Sequence, residues 1–168
     1  MNFVLKAFSN STIHNSPLLI MGFQDIEEKV DSHNFLNFKT NAANINIIRD
    51  SSLIKIHWEK VVDPQDFKLS YQLAADLVKR FRIRNMLNDA RNMAYLNIEN
   101  QNWISRCILP QLAQSHLLKM ARVVLDEPLA ILVSCNILDK ITNKPELGNK
   151  LSCEIFTDLD SALFWLNY

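Results

Sequence analysis

Between Asn44 and Trp58 polar and apolar residues alternate along the chain. Ile45 and Ile47 stand against Asn44 and Asn46. After Asp50-Ser51-Ser52, Leu53, Lys55 and His57 fall on one side and Ile54, Ile56 and Trp58 on the other. A period of two is the mark of a half-buried strand, so two such runs joined by a short polar turn predict a β-hairpin. The period changes at Asp63-Pro64, a carboxylate able to cap a helix followed by proline at the first helical position. Phe67, Tyr71, Ala74, Leu77, Val78 and Phe81 then recur at spacings of three and four, which predicts an amphipathic helix over residues 64–81.

The alternation of short strands and helices continues. A strand is predicted over 83–87, ending in Asn88-Asp89-Ala90-Arg91, and a helix over 98–114 with Trp103, Ile104, Cys107 and Ile108 as its apolar stripe. Pro110 falls inside that stripe and is expected to kink or end the helix. Then come a strand over 120–125, a helix over 128–141 capped by Asp126-Glu127-Pro128, a turn over 144–149, a strand over 151–156 and a helix over 158–166. This order predicts an α/β fold with a mixed, mostly parallel sheet, one antiparallel hairpin edge, and helices flanking the sheet. Residues 1–43 are rich in Asn and Ser and hold no steady period. They read as an accessory N-terminal segment, with a strand over 3–8 and a short helix over 24–30 as candidates, beside a domain spanning 44–168.

The length of 168 residues fits one domain, and 48% apolar with 21% charged residues is an ordinary globular balance. Eighteen Lys and Arg offset eighteen Asp and Glu, so the chain has no net attraction to phosphate, and nucleic acid is not an expected partner. The one basic run, Lys79-Arg80-Phe81-Arg82-Ile83-Arg84, falls at a predicted helix end, where cations gain about 0.3–1 kcal/mol each from the helix dipole. Its Phe81 and Ile83 are expected to point into the core. The longest early apolar run, 17–23, is far short of the ~20 residues that span a bilayer, which makes a cytoplasmic location the expectation. Cys107, Cys135 and Cys153 are odd in number, form no CxxC pair and sit in apolar segments. They read as small buried hydrophobes in a reducing compartment.

Only two glycines occur, Gly22 and Gly148. Loops that cradle phosphate need glycine to bring backbone N–H groups close, so no dinucleotide fingerprint, P-loop or nucleophile elbow can be written. His14, His33, His57 and His116 are scattered, with none in a metal-ligand spacing. His57 reads as a strand-end histidine with no special partner, and no cofactor or metal is expected. Asp89 and Arg91 are the most informative polar pair, because α/β sheets place ligands beyond the carboxyl ends of their strands. The plainer reading has Asp89 capping the loop and Arg91 solvated or paired at the surface.

Three stretches resemble the STAS-like (SpoIIAA-like) domain family, particularly its small bacterial versions related to lipid-binding CRAL-TRIO-like domains. Asn88-Asp89-Ala90-Arg91-Asn92-Met93 is similar to a strand end of the form D-x-R-x-M. Trp103-Ile104, Leu109-Pro110 and the run from Leu118 to Val124 are similar to a W…P…K-x-A-x-V pattern. Phe156, Asp158, Ala162, Trp165 and Leu166 resemble the family's closing helix. The resemblance covers about residues 44–168. Members that switch sigma-factor regulators carry a phosphorylatable Ser or Thr just after the corresponding strand, whereas Asp89 to Met93 contain no hydroxyl.

The resemblance implies a non-catalytic regulatory or protein-interaction module, bacterial, binding a protein partner or itself through the hairpin edge or the loop. Asp89, Arg91, Asn92, Met93 and Trp103 are the expected binding residues. A carrier or sensor of a small apolar, lipid-like ligand is the alternative, with Trp58, Trp103 and Trp165 as candidate pocket walls. A third possibility is an enzyme built from Asp89, Arg91 and His57, which requires those three side chains within a few ångströms around one pocket.

Overall fold

The computed structural model describes residues 27–32, 34–59, 63–93, 96–142 and 151–167. The strand expected over 3–8, the turn over 144–149, His14, His33 and both glycines lie outside them. The strands are β1 (Glu27–Ser32), β2 (Phe35–Lys39), β3 (Ala43–Ile48), β4 (Leu53–Trp58), β5 (Asn85–Asp89), β6 (Lys119–Val123) and β7 (Ser152–Phe156). They form one seven-stranded sheet whose spatial order is the order in sequence. Strands β1 to β4 pair antiparallel and β4 to β7 parallel.

The α/β class, the mixed sheet and the flanking helices are as expected, and the hairpin pairs Ile45 with Ile56 and Ile47 with Ile54. The antiparallel part is larger than a single hairpin. Residues 27–39 add two strands, so the sheet begins ahead of residue 44, and the helix expected over 24–30 is a strand from Glu27 onward. Leu36 and Phe38 pair with Ile47 and Ile45 and are buried. Pairing to an existing strand, rather than local propensity, therefore decides the conformation of this segment.

Helix α1 (Pro64–Phe81) has the predicted bounds. Asp63 caps it by accepting from the Gln65 N–H at 2.8 Å, and Lys79 and Arg80 fill its last turn. The Arg49 and Arg80 guanidinium groups each lie over the Phe81 ring, which packs against the main core, and Ile83 is buried, so the basic run is partly engaged with the protein's own core. The predicted helix over 98–114 is three pieces: α2 (Ile98–Trp103), a π-helical turn (Ile104–Ile108) and α3 (Leu109–Ala113). Pro110 has no N–H to return to the Arg106 carbonyl, and its ring would clash there. The preceding turn widens until Leu109 N–H bonds the Ile104 carbonyl. Ile104, Ile108, Leu109 and Leu112 all stay buried, while the extra residue in the wide turn leaves Cys107 exposed. The expectation that Cys107 is buried is thereby corrected.

Helices α1, α2–α3 and α4 (Pro128–Thr142) pack on one face of the sheet. Repeated crossovers of one hand that step in one direction bring every crossover helix to the same side. Ile45, Ile47, Ile54, Ile56, Trp58, Met86 and Met120 form the floor of this main core. The other face carries a smaller cluster, Leu53, Leu87, Ala121 and Val123, covered by Ala162 and Leu166 of α5 (Leu159–Asn167). Being covered on both sides, β5 and β6 are buried at nearly every position, whereas β3 alternates between buried and half-buried residues. The outer face of β2 to β4 carries Asn37, Lys39, Asn44, Asn46, Lys55 and His57, in register across the strands.

Candidate functional site

In the parallel pairing of β4 with β5, His57 lies opposite Asp89. His57 Nδ1 stands 3.2 Å from Asp89 Oδ2. A carboxylate can only accept, so Nδ1 donates to it, and in that tautomer of the neutral ring Nε2 is the acceptor. The Asn92 amide donates to that Nε2 at 3.1 Å. Arg91 closes the arrangement with a fork, Nε to Asp89 Oδ1 at 2.9 Å and Nη2 to Oδ2 at 2.8 Å. The Arg91 backbone N–H also reaches Oδ1 at 3.3 Å, so Asp89 caps its own loop as well as binding the guanidinium.

The two sides of the His–Asp pair differ in access: the Asp89 side chain is 9% exposed and that of His57 44%. Burial opposes ionisation of Asp89. The Arg91 fork, the Arg91 backbone N–H and the bond from His57 outweigh it and hold the carboxyl below its ordinary value. The same fork pushes Arg91 above its usual value, with a smaller contribution from Asp158. Asp158 stands at the start of α5 and accepts from the Ser161 N–H at 2.8 Å, so the charged loop lies near the first turn of that helix.

Asp89, Arg91 and Asn92 are thus brought together with His57, which gains two partners where none was expected. Met93 and Trp103 are not part of this network. Met93 bonds through its N–H to the Ala90 carbonyl, and its side chain packs against the main core. Trp103 packs edge-on against Phe67, 6.3 Å between ring centroids. The three tryptophans do not share a wall either. Trp58 is fully buried against Phe67 and Tyr71, while Trp165 packs on Phe156 across the sheet.

His57, Asp89 and Arg91 do lie within a few ångströms of one another, as an acid–base site would require of its side chains. Their bonding limits what they do in this arrangement. The Asp89 oxygens accept from Arg91 and His57, its carboxyl titrates below the ordinary range, and the accepting nitrogen of His57 is occupied by Asn92. The network's physical effect is to fix the shape of the loop after β5.

A second polar cluster, around Trp58 and Asn88, occupies the main-core side of the same strand ends. Trp58 Nε1 donates to Asn88 Oδ1 at 2.7 Å, and the Asn88 amide donates to the Tyr71 hydroxyl. Arg122 pairs with Asn88 in the β5–β6 register, and its Nε donates to Ser134 Oγ of α4 at 3.0 Å. An arginine inside the apolar run from Met120 to Val124 was the available signal. Among the described residues no three His, Cys, Asp or Glu side chains gather as a metal ion would require, and no helix is long and apolar enough to cross a membrane. No family model, curated protein or solved structure matches this chain.

Proposed function

We propose that the chain is a non-catalytic regulatory module of the STAS-like type, bacterial and cytoplasmic, that binds a protein partner or a second copy of itself. The contact surface is the loop at Asp89–Asn92 with the adjoining outer face of β3 and β4. The observation that carries this reading is the closed network of His57, Asp89, Arg91 and Asn92. Its polar atoms bind one another, which presents a loop of defined shape without a nucleophile or an unoccupied base. A preordered loop loses little conformational entropy on docking, the property recognition needs. Beside it, Asn44, Asn46 and Lys55 give a polar face able to complete hydrogen bonds with a partner. The family motifs in the sequence and the α/β architecture support the same assignment.

The test is a paired substitution, Asp89→Ala with Arg91→Ala, in the full chain. The fold is followed by circular dichroism and complex formation by the mass of the assembly. The reading predicts a native-like spectrum with loss of the bound chain. Full retention of that chain by the folded variant would remove the loop from the account.

A further inference from the structure

Three ionisable side chains meet in the loop network, His57, Asp89 and Arg91, and they titrate in different ranges. Asp89 is held below the ordinary carboxylate value and Arg91 above its own, which leaves the imidazole as the group able to change charge near neutral pH. Its two ring nitrogens face partners of different kinds. Asp89 can only accept, so Nδ1 keeps its proton whether the ring is neutral or charged. Nε2 accepts from the Asn92 amide only while the ring is neutral. A protonated ring carries N–H at both nitrogens, and two donors, Nε2–H and the Asn92 NH2, then stand 3.1 Å apart. Asparagine relieves that conflict without moving its backbone, because half a turn of the amide brings Oδ1 to the ring and the NH2 outward. Asn92 is exposed, which leaves the amide room to turn.

The charged groups around the ring let the network survive the change. From β5 and its loop it faces Asp89, which favours the imidazolium, and Arg91, which is forked onto that same carboxylate and opposes it. From β3 it faces neutral Asn44, whose amide donates to Glu59, with Lys39 of β2 one strand further. On its own strand Lys55 precedes it on the same face. Asp158, at the start of α5, acts on Arg91. Protonation adds a charge to this set and turns the Asp89 contact into an ion pair without breaking it.

We propose that His57 is a proton-operated switch that reverses the hydrogen-bonding sense of the loop tip. With the ring neutral, Asn92 turns its carbonyl oxygen outward; with the ring protonated, it turns its NH2 outward. The use of this switch in regulation rests on the loop being a contact surface, since a partner that donates to Asn92 is then released as pH falls.

The experiment is nuclear magnetic resonance on the full chain, titrated from about pH 8 to about pH 5. The Asn92 side-chain NH2 resonances are expected to move with the same midpoint as the His57 ring. The nuclear Overhauser contact between that NH2 and the ring C–H protons should be present at the upper end and lost at the lower end. In His57→Gln the Asn92 resonances should stay flat over the same range. A contact that persists when the ring is protonated, an Asn92 titration that survives in His57→Gln, or a neutral ring with its proton on Nε2 would each overturn the proposal. If His57→Gln does not fold, the wild-type contact decides alone. None of these readings involves a bound chain, so failure of the switch is distinct from failure of the contact surface.

Discussion

Asn88 and Asp89 are consecutive residues of β5, and their side chains serve opposite faces of the sheet. On the outer face Asp89 is a carboxylate bound by Arg91 and His57, close to solvent. On the core face Asn88 links Trp58 to Tyr71 beside Arg122, a cation with neutral partners. One network is balanced in charge and shapes a surface; the other is buried and carries a positive charge that the described residues do not offset. A strand's period of two thus lets adjacent residues build two polar centres with different chemistry.

The largest effect is expected on the core face. Asn88→Ala leaves the Trp58 N–H and the Tyr71 hydroxyl without a buried partner and should cost about 2–4 kcal/mol in urea unfolding. On the outer face Asp89→Ala should cost only about 1 kcal/mol, because solvent replaces much of what Arg91 and His57 lose. Equal losses would mean that the outer network is as structural as the inner one.

Acid sharpens the contrast. The folded Asp89 carboxyl titrates below its ordinary value of 3.8, so its contribution is fully present above that value and is lost as pH falls through the lower, folded one. Urea midpoints taken from about pH 6 down to about pH 2 should therefore fall more steeply for wild type than for Asp89→Asn. Arg122→Met should leave stability unchanged or raise it by up to about 1 kcal/mol, since it removes an uncompensated buried charge while keeping volume. The smallest effect is one of access. Burial pushes the Cys153 thiol up to about 12, whereas Cys107 is exposed. Alkylation of the native chain near neutral pH, read by peptide mass, should label Cys107 readily and Cys153 only after denaturant.

How much of this was legible follows from where each signal resides. The α1 bounds and the β3–β4 hairpin are written in local periodicity, because one side of each meets the core and the other meets water. β1 and β2 were not legible: Glu27-Glu28-Lys29 is a charged run with no alternation, and its strand forms only because β2 pairs beside it. The π turn was half legible, since Pro110 announces an interruption but not its form. The His57–Asp89 contact joins residues 32 positions apart. It becomes visible only once β4 and β5 are known to be parallel neighbours, with the two side chains meeting at their carboxyl ends. Arg122 had a local signal, a charge within an apolar strand, that points to the inner network.

The most direct measurement is native mass spectrometry on the chain captured gently from the cells that make it, set against its denatured mass. The account predicts extra mass equal to another chain or a second copy, lost when Asp89 and Arg91 are both replaced by Ala. A wild-type assembly no heavier than one chain and a small ligand, or a bound chain untouched by that replacement, would contradict it.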